Sequence, residues 1–539
     1  MTNKTRLISS LVAAVLLACH LGAQAAGSAE AIMAASCGGC HSQDDSGRWS
    51  RISEQRKTPE GWQMTLVRMQ EIHGASIVDP AGGEAGAAMR TLVRHLADTQ
   101  GLTPAESAPW RYVLERELNT VEQHDSAMFT EMCARCHSGA RVGLQRRSEE
   151  EWRHLVHFHL GQFPSAEYSL MGRDRDWLGI ALSDMVPWLA REFALDSDAW
   201  TQWQALPRES FAGRWRVSGH MPGKGLFAGN MVVTDGSDGD YQVELEGAFE
   251  SGEPLAGAGK ALVYSGHEWR ASLTLDGEVY QQVLMAEPGS GQLDGRMFRR
   301  DNVEWGLRMQ AARLDGDARI MAMQPSYIRA GTEQQLLLVG AGLDPEAGIG
   351  LGAGLEILAV TDRSVDGMLL QVRAAADAAE GTRAISVGEV GAEGLVTVYH
   401  SLDRVAVEPA YAVARVGGNG GSQPVVEAMF DAIGFSDGPD GEAGTADDIR
   451  VGPLPAKWSV APFDAQAAAD EDVRFAGAMD ADSGVFTPGA AGPNPERKYQ
   501  TNNAGNLKVL ATVAQEDALL DAEGQLIVTV HRWNNPPIR

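Results

Sequence analysis

The sequence is poor in cysteine and in basic residues, and it has no long apolar run beyond its N-terminus. Among 539 residues there are 5 cysteines, and 72 acidic residues outnumber 45 basic ones, which gives a formal net charge of −27. Because phosphate-binding surfaces need clustered lysine and arginine, this balance excludes nucleic acid and anionic membrane surfaces as expected partners. The lack of a second apolar run predicts no membrane span in the mature chain.

The N-terminal residues 1–25 have the features of a secretory signal peptide. A basic start and a short apolar stretch precede the small-residue cleavage site Ala23–Ala25. The stretch Leu16–Cys19 also resembles a bacterial lipoprotein box, which would leave Cys19 lipidated. With either processing route, the prediction is export to the periplasm.

The four cysteines outside this leader form two Cys-x-x-Cys pairs, and a histidine directly follows each pair. The motifs are Cys37-Gly38-Gly39-Cys40-His41 and Cys133-Ala134-Arg135-Cys136-His137. This spacing is typical of haem c attachment, because two thiols one helical turn apart add to the vinyl groups and the adjacent imidazole binds the iron. A thioredoxin-like pair would need an αβ context, and a zinc knuckle should not carry histidine after both pairs. The sequence therefore predicts two covalently bound haem c groups with proximal ligands His41 and His137.

The segments that follow the two motifs resemble each other. Arg56–Trp62 and Arg146–Trp152 each begin with two basic residues and lead into an amphipathic helix. Thr58 is expected to cap the first helix, and Ser148 with Glu151 forms a capping box for the second. The similarity predicts a duplicated haem unit.

Seven residues after each of these tryptophans, two helical turns on, lie Met69 and His159. Methionine and histidine are the two common sixth ligands of low-spin haem c, so the sequence predicts His41 with Met69 on the first iron and His137 with His159 on the second. Other candidates stay open: His73, Met89 and His95 for the first iron, and His157, Met171 and Met185 for the second.

The predicted ligands have two consequences. Methionine ligation raises a haem potential relative to two histidines, so the first haem should be the better electron acceptor. Irons with both axial positions filled do not readily bind peroxide or oxygen, which favours electron relay over catalysis at the haem.

Helical signals give way near residue 206 to alternating strand patterns broken by Gly and Asp turns. The predicted fold is multidomain, α followed by all-β. The expected domains are a signal peptide at 1–25, a helical dihaem cytochrome c domain at 26–205, an antiparallel β-barrel or sandwich at 206–322, and immunoglobulin-like domains at 323–408 and 409–539. No nucleophile motif, phosphate loop or histidine cluster occurs in the β region, so no catalytic residue is expected in this chain. Asp437–Asp448 is interpreted as an acidic turn, because its spacing departs from that of a calcium loop.

Taken together, these features resemble one family, the α subunit of quinohaemoprotein amine dehydrogenase. The stretches that carry the resemblance are Arg56–Trp62, Met132–Ser138, Glu151–Arg153, and His157–His159 running into Phe163-Pro164.

The resemblance implies a periplasmic αβγ heterotrimer. In it, the β subunit is a propeller and a small γ subunit carries cysteine tryptophylquinone, at which primary amines are oxidised. Electrons would leave through the two α-subunit haems to a soluble acceptor, such as a cytochrome c or a copper protein. The alternative is a stand-alone dihaem cytochrome or a peroxidase-like enzyme, and the latter needs one exchangeable axial position.

Overall fold

The computed structural model describes residues 27–117, 119–162, 175–420, 423–515 and 518–531. The predicted signal peptide, Cys19, Phe163-Pro164 and Met171 lie outside the described residues. Two compact units form: one from the described parts of 1–103 and 124–205, the other from those of 104–123 and 206–534. Within the described ranges, no helix has both the length and the apolar character needed to cross a bilayer.

The N-terminal region is helical, as predicted. Its helices are α1 Ala29–Cys37, α2 Pro59–Glu71, α3 Ala85–Thr99, α4 Pro104–Ser107, α5 Arg111–Leu114, α6 Ala127–Met132, α7 Ala140–Gly143, α8 Glu149–Gln162, α9 Trp177–Ile180, α10 Val186–Glu192 and α11 Asp198–Ala205. A π-helical turn, Ala181–Met185, joins α9 to α10.

The duplicated segments pair with each other through two short strands. These are β1 Gln55–Lys57 and β2 Gln145–Arg147, which are antiparallel with Arg56 opposite Arg146. Each strand leads directly into the helix of its own repeat, β1 into α2 and β2 into α8. An antiparallel pair of equivalent strands has a local two-fold axis at its centre, so β1 and β2 are related by an approximate dyad here.

The two helix starts differ in one detail from the prediction. Thr58 Oγ1 accepts the amide of Gly61 at 3.3 Å, and Ser148 Oγ accepts the amide of Glu151 at 3.3 Å. The Glu151 carboxylate does not complete the capping box, because it turns to Arg51 instead, at 2.7 Å. A charge-assisted bond to this buried carboxylate outweighs the local hydrogen bond of a capping box here.

In the second unit, the first β domain is a closed eight-stranded barrel of antiparallel neighbours. Its strands are β3 Gly213–Met221, β4 Gly225–Asp235, β5 Tyr241–Phe249, β6 Pro254–Tyr264, β7 Glu268–Leu275, β8 Glu278–Glu287, β9 Gln292–Arg299 and β10 Gly306–Arg313. Strand β10 pairs with both β9 and β3 and so closes the barrel. Inside, the fully buried Gln282 accepts the indole N–H of Trp269 at 3.0 Å. Closure removes the open edges of the sheet.

The next domain has two four-stranded sheets around one apolar core. Its strands are β11 Arg319–Gln324, β12 Tyr327–Arg329, β13 Glu333–Ala341, β14 Ile349–Gly350, β15 Leu355–Ser364, β16 Gly367–Ala374, β17 Gly381–Val387 and β18 Val390–Tyr399. The sheet orders are β11-β13-β16-β15 and β12-β18-β17-β14.

The C-terminal domain combines three small sheets with two short helices. Its elements are β19 Arg404–Glu408, β20 Tyr411–Arg415, β21 Ala428–Met429, β22 Asp431–Ser436, β23 Ile449–Leu454, β24 Lys457–Pro462, α12 Ala465–Ala469, α13 Asp472–Phe475, β25 Gly477–Met479, β26 Val485–Pro488, β27 Gly505–Gln515 and β28 Ala518–Thr529. The two helices were not predicted.

The prediction of purely antiparallel β domains is wrong in two places, since β12 pairs with β18, and β20 with β28, in parallel. Alternating polarity shows that a segment is a strand but not the direction of its neighbour. The immunoglobulin-like assignment and the domain boundaries at 205, 322 and 408 stay predictions.

One helical segment belongs to the second unit. Residues 104–123, which the sequence prediction includes in the dihaem domain, cluster with the β domains. Within them, Arg111 forms ion pairs with Glu115 at 2.7 Å and with Asp294 at 3.0 Å. Arg308 of the barrel bonds the same Glu115 at 3.0 Å. These ion pairs tie the segment to the barrel wall.

Candidate functional site

The first Cys-x-x-Cys-His motif begins at the last residue of α1. The amides of Cys40 and His41 both bond the carbonyl of Cys37, at 3.1 and 2.9 Å, so the three side chains share one turn. Cys37 is half-buried and Cys40 is exposed, and both thiols are free. His41 Nδ1 lies 2.9 Å from the carbonyl oxygen of Ser50. This contact leaves Nε2 as the ring nitrogen available to a metal.

The second motif has the same arrangement. It follows α6 directly, and the amide of Cys133 bonds the carbonyl of Phe129 at 2.9 Å. Again the first cysteine, Cys133, is half-buried and the second, Cys136, is exposed, and both are free. His137 Nδ1 lies 2.9 Å from the carbonyl oxygen of Ser138. Both proximal histidines are therefore oriented by a backbone carbonyl.

Burial affects the first cysteine of each motif, Cys37 and Cys133. Burial raises the pKa of Cys133 to about 12. Burial, and to a smaller extent the nearby Cys40, also raises the pKa of Cys37. Redox-active cysteines have lowered pKa values instead, so the thioredoxin-like alternative does not fit. Across the described ranges, no three or more His, Cys, Asp or Glu side chains are grouped to hold a metal.

Helix α8 brings His159 next to the histidine of the second motif. The ring centroids of His137 and His159 are 6.5 Å apart, with an angle of 36° between the ring planes. Two imidazoles on opposite sides of one first-row metal, each with a metal–nitrogen bond of about 2.0 Å, have centroids about 6.4 Å apart. His159 Nδ1 contacts the carbonyl oxygen of Leu155 at 2.7 Å, so Nε2 is again the nitrogen that suits a metal. The residues present fit an iron between these two rings.

The electrostatics of His159 agree with a metal ligand. Burial lowers its pKa, and the charges of His137, Arg141 and Arg68 lower it further, against the effect of the Leu155 carbonyl. A neutral imidazole is the form that binds metal.

The other candidates for the second iron lie elsewhere. His157 is exposed, two residues before His159 on α8. Met185 is 1% exposed at the end of the π-helical turn. Residues two apart in a helix are rotated by about 200° about its axis, so His157 and His159 point to nearly opposite sides of α8.

For the first iron, the dyad relates Met69 on α2 to His159 on α8, because each lies seven residues after its tryptophan. Met69 is half-buried. Of the alternatives, His73 is exposed just beyond α2, and Met89 and His95 are half-buried on α3. The pairing of His41 with Met69 stays a prediction.

Each repeat anchors its ligand-bearing helix with a buried tryptophan under a buried cation. Lys57 Nζ lies 4.9 Å from the Trp62 ring centroid, and the Arg147 guanidinium 5.6 Å from that of Trp152. Burial lowers the pKa of Lys57 well below its ordinary value, and its Nζ bonds Thr65 Oγ1 at 2.7 Å. These contacts hold the first turn of α2 and of α8 in place. They therefore also help to position Met69 and His159, which lie two turns later on these helices.

At the dyad, Glu151 is the hub of a buried network. Its carboxylate bonds Arg51 Nε at 2.7 Å, His154 Nδ1 at 3.0 Å and Gln55 Nε2 at 3.1 Å, with Arg147 Nη1 at 3.5 Å. Burial alone raises the pKa of Glu151, but the bonds from Arg51 and His154 and the charges of Arg51 and Arg147 outweigh it and lower the pKa. The network joins segments from both repeats.

Replacement of Glu151 with glutamine should lower the free energy of unfolding by about 3–5 kcal/mol, because it leaves the buried Arg147 without its counter-charge. Urea unfolding followed by circular dichroism measures this. The matched control is Glu150→Gln, on a side chain that is 62% exposed. It should change the free energy by less than about 0.5 kcal/mol. Equal effects of the two substitutions would contradict the role of Glu151.

The same network gives a pH dependence. Because the folded-state pKa of Glu151 is lowered, its stabilisation is complete above the ordinary glutamate pKa of 4.5 and is lost as the pH falls through the folded value. The wild-type protein should therefore lose more stability below this pH than Glu151→Gln does.

Two features around the second motif could not be found from the sequence. Trp177 lies 6.3 Å from His159 between ring centroids, and its Nε1 bonds the carbonyl of Met132 at 3.3 Å. Arg68 of the first repeat lies 4.8 Å from the ring centroid of Phe158. No local pattern marks these residues, because they come from distant segments.

Two carboxylates of the acidic turn in the C-terminal domain share one arginine. Arg404 forms ion pairs with Asp437 at 2.6 Å and with Asp448. Thr445 Oγ1 bonds Asp447 at 2.7 Å.

Four family models match the chain in succession. They are described as quinohemoprotein amine dehydrogenase A, alpha subunit, haem binding, over residues 27–200, and as quinohemoprotein amine dehydrogenase alpha subunit domain II over 208–314, domain III over 317–400 and domain IV over 405–538. None of the curated proteins compared with the chain matches it.

Among solved structures, the similarities cover parts of the chain and are weak. A redesigned β barrel, mFAP1, bound to DFHBI is 19% identical, with a TM-score of 0.17, over 19% of this chain and 90% of that chain. A biogenic amine-binding protein is 10% identical, with a TM-score of 0.17, over 20% and 68%. Drosophila N-cadherin EC1-3 is 9% identical, with a TM-score of 0.21, over 46% and 78%. Similarities at these TM-scores support no conclusion about fold or function.

The fold and the matched families together define a multidomain haem-binding protein, with a helical N-terminal region followed by mostly antiparallel β domains. The chain belongs to the family of quinohemoprotein amine dehydrogenase alpha subunits. It is therefore a subunit of an amine dehydrogenase, an oxidoreductase complex.

Proposed function

We propose that this chain is the dihaem electron-transfer subunit of a periplasmic amine dehydrogenase. It passes electrons from a quinone cofactor in a partner subunit, where primary amines are oxidatively deaminated, through two haem c groups to an external acceptor. The observation that carries this proposal is the duplicated site: two Cys-x-x-Cys-His motifs on dyad-related repeats, one of them with His137 and His159 6.5 Å apart.

In each repeat, the chain's own residues hold and orient the group. The two thioether attachments are provided by Cys37 with Cys40 in the first repeat and by Cys133 with Cys136 in the second. The first cysteine of each pair is half-buried. His41 and His137 are held through Nδ1 by backbone carbonyls and present Nε2. A haem c bound there supplies reversible one-electron transfer.

The distal side is assigned by the dyad. Because Met69 and His159 occupy equivalent positions on α2 and α8, the opposed pair His137–His159 supports His41–Met69 as the corresponding pair. If each pair held a haem iron, that iron would have no free position for substrate, which would suit electron relay.

The amine chemistry belongs to partner chains. We assign the quinone, cysteine tryptophylquinone, to a small partner subunit, and a β-propeller chain completes the heterotrimer. The barrel and the two β domains that follow it, proposed as immunoglobulin-like, act as docking surface. The acceptor is a soluble cytochrome c or copper protein, and the signal peptide places the complex in the periplasm.

Anaerobic reduction of the purified complex by a primary amine tests this function. We expect two haems for each copy of this chain and the appearance of ferrous haem absorbance when the amine is added. The isolated chain, matured with its haems, is the control, and it should stay oxidised with the same amine. Amine oxidation by the isolated chain, or haems that stay ferric in the complex, would contradict the proposal.

A further inference from the structure

Two arginines from different repeats converge beside the second motif. Arg141 on α7 lies four residues after His137, and its Nη2 is 3.5 Å from the sulfur of Met64 on α2. Met64 and Arg68 are four residues apart on α2 and so share one helix face. The two guanidinium groups therefore lie on the same side of α2.

Arg68 contacts α8, the helix that carries His159. Its guanidinium is 4.8 Å from the ring centroid of Phe158, which directly precedes His159 on α8. The two arginines thus come from α2 and α7, and both lie close enough for their charges to act on His159.

Neither guanidinium is balanced by a carboxylate in the part of the chain that the structure describes. Three other arginines of this unit do form ion pairs: Arg51 with Glu151, Arg153 with Glu149, and Arg175 with Glu131, at 2.5–3.1 Å. In a chain with 72 acidic residues, two neighbouring arginines without acidic partners at a cofactor site indicate that the missing anion belongs to the cofactor.

We propose that Arg68 and Arg141 bind the propionate carboxylates of the haem that His137 and His159 hold. This inference rests on the proposed function. Arginine is suited to the role, because its planar donors match a carboxylate and its charge does not titrate at neutral pH. Since Arg68 directly precedes Met69, the helix that carries the distal ligand of one iron also holds the anionic edge of the other haem.

The arginines act on the reduction potential of that haem alone. Propionate charges that are not compensated favour ferric over ferrous iron, so loss of the arginines stabilises the oxidised state. The first haem keeps its own surroundings and should not change.

The test is a spectroelectrochemical titration of the full chain with both haems bound. In the double variant Arg68→Gln/Arg141→Gln, we expect the potential of the lower-potential haem to fall by at least 59 mV, a tenfold change in its oxidised-to-reduced ratio. The matched control is Arg153→Gln, on the same helix as His159 but paired with Glu149. It should leave both potentials unchanged. Arg68→Lys/Arg141→Lys keeps the charge and should restore most of the potential.

The outcomes are separable. A wild-type chain with fewer than two haems contradicts the proposed function itself. Two haems with unchanged potentials in the Gln variant, or equal shifts of both haems, overturn the propionate assignment and leave the function intact. If the double variant does not accumulate, the single variants Arg68→Gln and Arg141→Gln decide, because each removes one charge and should give about half of the shift.

Discussion

The double variant Cys133→Ala/Cys136→Ala is expected to carry one haem for each chain instead of two. The substitutions remove both thiols that would form thioether bonds at the second site, the half-buried Cys133 and the exposed Cys136. Axial ligation alone does not retain a haem through denaturation, whereas thioether bonds do. Mass spectrometry of the denatured chain counts the covalently bound haems directly.

The first site supplies the control for this experiment. Cys37→Ala/Cys40→Ala should also leave one haem, but with the spectrum of the other site. The haem that remains in Cys133→Ala/Cys136→Ala should show the near-infrared methionine–iron band, and the haem in the other variant should lack it. Two haems in either variant would rule out these cysteines as attachment sites.

Removal of the distal ligands is expected to have the second largest effect. Met69→Ala should abolish the methionine–iron band and lower one potential by on the order of 100 mV, within the roughly 0.8 V range that axial ligands span. His159→Ala opens one axial position on the other iron, so a ferric high-spin signal and cyanide binding should appear. Absorption and electron paramagnetic resonance spectra measure both changes.

The matched control for the second iron is His157→Ala, which removes an exposed imidazole two residues from His159. It should leave the spectra and both potentials as in the wild-type chain. A high-spin signal in His157→Ala but not in His159→Ala would reverse the assignment. A methionine–iron band that survives in Met69→Ala would transfer the ligand role to Met89.

Local features were predictable from the sequence, since each depends on a few neighbouring residues. The motif spacing predicts that Cys37, Cys40 and His41 share one turn, and the structure has them on one turn. The caps at Thr58 and Ser148 form as expected. The helical N-terminal region and the barrel strands also follow from period and turn signals.

Relations between distant segments were not predictable in the same way. The carboxylate of Glu151 leaves its predicted capping role because Arg51, a hundred residues away, offers a stronger partner. Strands β12 and β20 pair in parallel with their neighbours, a direction that alternation does not encode. The convergence of Arg68 and Arg141 likewise depends on how α2, α7 and α8 pack.

By itself, the sequence determined the chemistry of attachment: which thiols and which imidazoles stand together, and that they occur twice. The spacing of these residues along the chain involves only three or four neighbours. It is therefore the same in any fold in which that turn is helical. Only the tertiary structure decided what lies beside the second motif. It paired the two repeats through β1 and β2, brought His159 rather than His157 to His137, and gathered unpaired positive charge at that site. Those distances are set by packing across the dyad, which no local pattern records.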